Sequence, residues 1–139
     1  MLTPLQIARS IAMIASRGII IKPTLLLDKG YFQSPMTLNL DESVFQAIHE
    51  GMRMTTTEGS ALSLNVPYTK MAAKTGTAQT GPGNRRVNSW IVGFFPYDEP
   101  LYAYAVVMEH GPSNMTRGGP TAIRQFLDWM YTNTPEYFD

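Results

Sequence analysis

Tyr68-Thr69-Lys70-Met71-Ala72-Ala73-Lys74-Thr75-Gly76-Thr77-Ala78-Gln79, followed by Thr80-Gly81-Pro82-Gly83-Asn84, decides how this chain folds. The first part is a β-prone approach that runs into a short strand; the second is a glycine-rich turn. Alternate side chains of a strand share a face, so Lys74 and Gly76 lie on one side and Thr75 and Thr77 on the other, unless the strand is an edge that twists. Gly76 carries no side chain, which lets a ligand approach the backbone there. A lysine, two hydroxyls and a glycine at this spacing make a compact site for a carboxylate beside a carbonyl.

Two more strands follow the turn. Val87 to Phe95 and Leu101 to Glu109 flank the hairpin-length connection Pro96-Tyr97-Asp98-Glu99-Pro100. Both are apolar on both faces, as in a sheet covered on two sides. A last helix is expected from Gly119-Pro120, with Pro120 at its first position and Ile123, Phe126, Leu127 and Met130 as its buried stripe. Pro135 bars its continuation, and the tail to Asp139 is expected to fray.

Upstream, Thr3, Pro4 and Gln6 spell the start of a helix with a capping box. Leu5, Ala8, Ala12 and Ala15 form one apolar stripe and Ile7, Ile11 and Ile14 a second, which suits a core helix. Gly18 stops it. Ile19 to Leu27 is β-rich but broken by Pro23, with a turn expected at Asp28-Lys29-Gly30. A second helix is expected from Asp41 as N-cap, Leu40 and Phe45 forming a staple, and Val44, Ile48 and Met52 its stripe. It stops near Gly59, and Ser60 to Pro67 reads as a loop. The fold class is therefore α+β: an antiparallel sheet from the last three strands, with the first and last helices packed on it.

Composition sets outer limits. A chain of 139 residues, 44% hydrophobic and 16% charged, is an ordinary globular one. Eleven basic and eleven acidic side chains cancel, so no electrostatic case exists for nucleic acid. With no cysteine, disulfides, thiolate catalysis and thiolate metal sites are excluded. No apolar run reaches the length of a membrane span. His49 and His110 have no partners at metal-ligand spacing, so no metal and no cofactor is expected; each is read as a surface or hydrogen-bonded group. Trp90 and Trp129 are read as core, Arg85-Arg86 as a solvated hairpin, and Gly118-Gly119 as a tight loop in preference to an anion-binding helix N-terminus.

Three stretches together resemble the C-terminal part of a penicillin-binding transpeptidase domain of class B. Leu2-Thr3-Pro4-Leu5-Gln6-Ile7-Ala8 resembles a helix of that family. Lys74-Thr75-Gly76-Thr77-Ala78-Gln79 resembles its third active-site motif. Asn88-Ser89-Trp90-Ile91-Val92-Gly93-Phe94-Phe95-Pro96 is similar to the strand paired beside that motif. Gly51-Met52-Arg53, Glu58-Gly59-Ser60-Ala61 and Glu109-His110-Gly111 fall in comparable places. Gln79 and the Asn88-Ser89-Trp90 segment lean towards the elongation-type penicillin-binding protein 2. The architecture implied is the sheet-bearing half of the serine β-lactamase and transpeptidase fold.

The resemblance implies a peptidoglycan D,D-transpeptidase, whose serine forms an acyl-enzyme with the D-Ala-D-Ala stem peptide and is trapped by β-lactams. It implies cell-wall elongation proteins as partners and a place on the periplasmic face of a bacterial inner membrane. By position, Lys74 would be the cation of the third motif, acting on the substrate carboxylate and on proton traffic around the serine. Thr75 and Thr77 would hydrogen-bond that carboxylate, the Thr77 N–H would supply one arm of an oxyanion hole, and Gly76 would let the acyl group lie against the strand.

The nucleophile does not fall within this sequence. None of Ser10, Ser16, Ser34, Ser43, Ser60, Ser63, Ser89 or Ser113 is followed three residues later by lysine. Ser63-Leu64-Asn65 matches the family's second motif only as a pattern and in the wrong order, so it reads as loop chemistry. Residues 1–139 are thus expected to be a partial transpeptidase domain lacking the Ser-x-x-Lys and Ser-x-Asn portions, inert alone. Without a helical lobe, Ile7, Ile11 and Ile14 are expected to be exposed and to drive association. A non-catalytic substrate-binding or assembly module is the alternative reading. A β-lactamase stands third, because the Thr3-Pro4-Leu5-Gln6 and Asn88-Ser89-Trp90 segments resemble the synthetic enzymes.

Overall fold

A computed structural model describes residues 2–25 and 34–138. The turn expected at Asp28-Lys29-Gly30 and the end of the Ile19 to Leu27 stretch lie outside the described residues. Helix α1 spans Pro4–Ala15 and opens with the capping box: Thr3 N–H donates to Gln6 Oε1 at 2.8 Å, and Gln6 N–H to Thr3 Oγ1 at 3.3 Å. Gly18, at φ +104°, ends it; a Cβ there would stand 2.5 Å from the Leu38 carbonyl oxygen. A two-residue ribbon follows, β1 (Ile19–Ile20) against β2 (Met36–Thr37). Helix α2 (Glu42–Thr57) starts at Asp41, whose side chain accepts from Ser43 N–H.

The main sheet is antiparallel in the order β3 (Ala72–Thr80), β4 (Arg86–Phe95), β5 (Tyr102–Pro112). Helix α3 (Gly118–Asn133) covers one face. There Ile123 and Leu127 close a core with Met71, Ala73, Ile91 and Phe95, joined by Ala61, Leu64 and Val66. Helices α1 and α2 cover the other face, where Ile11, Ala15 and Met52 pack on Ala72 and Phe94. Ile91 and Phe95 face α3 while Phe94 faces α1, as period-two alternation requires. The α+β expectation, with the first and last helices on the sheet, holds. Helix α2 is an additional layer element, packed on β3.

Local assignments differ in six places, the first being the tail, which does not fray after Pro135 but forms a 3₁₀ turn, Pro135–Tyr137, with Phe138 packed on Tyr68 and Phe95. On α2 the buried residues are Phe45, His49, Met52 and Thr56, while Val44 and Ile48 are exposed. Polar groups took the core side because main-chain carbonyls satisfy them: His49 Nε2 lies 2.8 Å from the Ile14 oxygen, and Thr56 Oγ1 donates to the Met71 oxygen. On α3, Phe126 is 53% and Trp129 55% exposed, their rings stacked on each other outside the core. Pro120, Ile123, Leu127 and Met130 define the inner line at i, i+3, i+7 and i+10, and Phe126 sits about 100° off it. Pro120 is the third residue of α3, because Gly118 and Gly119 already turn helically against β4.

Ser60 to Pro67 is a structured segment whose 3₁₀ turn, Leu62–Leu64, buries Leu64 completely. Finally, Ile11 is buried, and Ile7 and Ile14 are half-buried against the cluster that Ile11 forms with Ala15, Met52, Ala72 and Phe94. The sheet covers the stripe expected to be exposed; the exposed apolar residues of α1 and its approach are Leu2 and Leu5.

Candidate functional site

β3 is an edge strand: β4 pairs with it on one side, and no described strand pairs on the other. The register sets Lys74 opposite Val92, Gly76 opposite Trp90 and Thr77 opposite Ser89. The Ala72 carbonyl points at β4, since a Cβ on Gly93 would stand 2.0 Å from its oxygen. Backbone polar groups alternate along a strand. Ala72, Lys74 and Gly76 therefore turn theirs to β4, and Met71, Ala73, Thr75 and Thr77 turn theirs to the outer edge. Side chains alternate with the faces: Lys74 and Gly76 share the α1–α2 side with Ala72, and Thr75 shares the α3 side with Ala73.

The approach to this edge is pinned carbonyl by carbonyl. Tyr97 N–H donates to the Lys70 oxygen at 2.8 Å. Thr56 Oγ1 at 2.8 Å and Arg53 Nη1 at 3.0 Å both donate to the Met71 oxygen. The Tyr104 hydroxyl reaches over Gly93 to the Ala72 oxygen at 3.4 Å. Tyr104 is half-buried overall, and desolvation around its hydroxyl holds the phenol well above the ordinary range, so it is a neutral donor.

From Lys74 onward the edge opens. Lys74, Gly76, Thr77, Ala78 and Gln79 are exposed and Thr75 is half-buried. Lys74 Nζ donates to the Thr75 carbonyl oxygen at 2.7 Å, on the free edge. Thr75 Oγ1 lies 2.6 Å from Ser60 Oγ. Gly76 has no positive φ, and a Cβ on it would meet only Trp90 Cβ at 3.5 Å, an ordinary contact. The glycine is required neither by the backbone nor by packing.

Behind the edge, Ser89 ties β4 to the start of α3: its Oγ donates to the Thr116 oxygen at 2.8 Å and accepts from Gly119 N–H at 3.1 Å. A Cβ on Gly119 would stand 3.1 Å from the Ser89 oxygen. Gly118-Gly119 is thus the first, close-packed turn of α3 with one N–H already engaged, and not the tight loop before the helix that the sequence suggested. Asn88 fills the irregularity in the β4–β5 ladder, where its Oδ1 accepts from His110 N–H at 3.0 Å and His110 adopts φ +57°. On the α3 face, Arg124 donates to both oxygens of Asp128 and to the Ser63 carbonyl oxygen, and Tyr68 donates to Asp128 at 2.7 Å. The Arg124 bonds first, then Tyr68, hold the Asp128 carboxyl below its ordinary range. Ser63-Leu64-Asn65 belongs to this brace beneath α3. Among the described residues no cluster of histidine and carboxylate side chains could hold a metal ion.

Sequence reasoning missed Arg53, Thr56 and Ser60 as supports of the edge. Only Gly59 signals the last of them: a Cβ there would stand 2.9 Å from Thr55 Cα, so the chain turns sharply into Ser60.

Comparison with known proteins shows the family of the chain. The family model described as the penicillin binding protein transpeptidase domain matches residues 1–130. A peptidoglycan D,D-transpeptidase, PbpA, from Mycolicibacterium smegmatis is 31% identical, covering 85% of this chain and 26% of the relative. Penicillin-binding protein 2B of Streptococcus pneumoniae is 29% identical over 91% of this chain and 22% of its own length. The solved complex of Helicobacter pylori PBP2 with MreC superposes with a TM-score of 0.73 at 25% identity, covering 95% of this chain and 25% of that one. The chain spans about a quarter of the length of these relatives.

Proposed function

The chain belongs to the penicillin-binding protein transpeptidase family, and on that premise we propose that its β3 edge is the substrate wall of a serine D,D-transpeptidase that cross-links peptidoglycan stem peptides. Gly76 carries the reading. It is a glycine in mid-strand, where glycine weakens a sheet, and neither φ nor packing calls for it. Room left beside the backbone is what a closely apposed acyl group needs.

The remaining roles follow from chemistry at that edge. The Thr77 N–H, turned outward, is the oxyanion donor; losing one such donor costs about 3 kcal/mol of transition-state stabilisation. The Thr75 and Thr77 hydroxyls bind the terminal carboxylate of D-Ala-D-Ala or of a β-lactam. The Lys74 ammonium, now on the adjacent Thr75 carbonyl, swings to that carboxylate and to the serine's proton path. The serine and its lysine base come from a part of the transpeptidase domain beyond residues 1–139, so this segment alone forms no acyl-enzyme. We place the parent in cell-wall elongation at the periplasmic face of the inner membrane. The match to a PBP2 solved with MreC favours elongation; among the described residues no helix is long and apolar enough to cross a membrane.

A fluorescent penicillin tests this directly. The parent protein is expected to label covalently, Lys74→Ala in the parent to lose labelling by at least about a hundredfold, and the isolated chain to stay unlabelled. Labelling of the isolated chain would refute the missing nucleophile. An unlabelled parent would favour a non-catalytic binding or assembly module.

A further inference from the structure

Ser60 is held more firmly than an exposed serine in a connecting segment requires. Glu58 N–H donates to the Met54 oxygen at 2.9 Å, and Ala61 N–H to the Thr55 oxygen at 3.0 Å. Gly59 between them has no room for a side chain, and Ala61 is fully buried. The backbone is therefore anchored on both sides of Ser60. Its hydroxyl stands 2.6 Å from Thr75 Oγ1, at the short end for two hydroxyls.

Two neighbouring hydroxyls can share their protons in two ways. If Thr75 donates to Ser60, its single proton is spent and it can offer a carboxylate only lone pairs. If Ser60 donates to Thr75, the Thr75 proton is free to turn outward, and donation along the chain strengthens it. An approaching carboxylate selects the second arrangement. We propose that Ser60 is a positioning residue that polarises and aims the Thr75 hydroxyl at the substrate carboxylate through the relay Ser60 O–H, Thr75 O–H, carboxylate. This rests on the reading of Thr75 as a carboxylate ligand. It adds that the ligand's grip depends on a residue from the turn after α2, fifteen positions upstream.

The test uses the full-length parent and two probes: a fluorescent penicillin dyed on its acylamino side chain, and the methyl ester of the same molecule. The readout is the second-order acylation rate. Ser60→Ala is expected to slow acylation by the free acid about tenfold, the upper end for one hydrogen bond between neutral groups, and to leave the ester unchanged. Ser60→Thr, which keeps the hydroxyl, should restore the acid to within about twofold, and Ser60→Ala should add nothing on a Thr75→Ala background. Equal rates for Ser60→Ala and wild type with the acid would overturn the relay, as would an equal loss with both probes, since that marks a merely structural brace. Wild type that labels with neither probe would overturn the underlying transpeptidase reading and the relay with it, an outcome distinct from a labelled wild type with an indifferent Ser60.

Discussion

Gly93 and Gly76 face the same strand pair from opposite members, and the structure assigns them opposite sensitivities. A Cβ on Gly93 would stand 2.0 Å from the Ala72 carbonyl oxygen, 2.5 Å from the Tyr104 hydroxyl and 2.8 Å from Tyr104 Cζ. The tyrosine can give way, but the carbonyl belongs to the backbone of β3. Relief requires β3 to move from β4 by about 1 Å, against an inter-strand spacing of about 4.8 Å. That stretches the ladder around Ala73, the partner of Gly93. Two weakened bonds at about 1 kcal/mol each, with about 2 kcal/mol of overpacking, put Gly93→Ala at roughly 4 kcal/mol destabilised. At a urea slope near 1.5 kcal/mol per molar, the unfolding midpoint falls by about 2–3 M. Gly76→Ala meets only Trp90 Cβ at 3.5 Å and relieves a mid-strand glycine, so its midpoint should stay within about 0.5 M of wild type. Urea denaturation of the two variants followed by far-ultraviolet circular dichroism decides the matter. Coincident midpoints would refute the packing argument for Gly93. A Gly93→Ala, Tyr104→Phe double variant should recover little, because the 2.0 Å contact is untouched.

In the parent protein, Gly76→Ala should keep wild-type thermal stability yet lose penicillin acylation by about tenfold or more, measured with a fluorescent penicillin; unchanged labelling would remove the reason given for that glycine. Leu127→Ala, at a fully buried site, should cost about 3–4 kcal/mol, whereas Phe126→Ala, one residue away and half exposed, should cost below about 1 kcal/mol by denaturant titration. The Asp128 carboxyl has its value lowered in the folded state, from an ordinary 3.8, so its contribution is complete above about pH 4 and is lost as pH falls through the folded value. Asp128→Asn should accordingly flatten the acid limb of the stability–pH curve below about pH 4, and an unaltered limb would count against the Arg124–Asp128–Tyr68 brace.

Local punctuation was the most legible part of the sequence. Thr3, Pro4 and Gln6 specify a capping box that forms atom for atom, and Gly18 and Asp41 act where their chemistry says they should. Strands β4 and β5 were readable from continuous apolar runs, because both faces of the sheet are covered. The failures share a cause. Stripe assignment ranks residues by apolarity, so Val44 and Ile48 outranked His49 and Thr56, and Phe126 and Trp129 outranked helical geometry. Whether a polar group can be buried depends on a carbonyl from elsewhere in the chain: Ile14 for His49, Met71 for Thr56. No local window contains that information. The same holds for the site. Lys74 to Thr77 could be named from their types and order, whereas Ser60, Arg53 and Thr56 enter only through contacts made at fifteen to eighteen residues' separation.

Those contacts bear on why the edge is open where it is. An unpaired edge strand is an aggregation hazard, and proteins cover or charge it. Here the residues before Lys74 are covered: Arg53 and Thr56 take the outward Met71 carbonyl. The residues after it are left with outward N–H and C=O groups from Thr75 and Thr77, guarded among the described residues only by the Lys74 ammonium folded onto the Thr75 carbonyl. A fold that already brings α2 to this strand could extend the cover by one more turn. Instead α2 ends at Thr57, and the chain turns at Gly59 to present a single hydroxyl, Ser60, to Thr75. On the proposed reading this is the most economical solution to two opposed demands: β3 must be rigid enough to hold an oxyanion donor in place, and bare enough for an acyl group to lie along it. Pinning the carbonyls of Lys70, Met71 and Ala72 meets the first demand, and an uncovered glycine at position 76 meets the second.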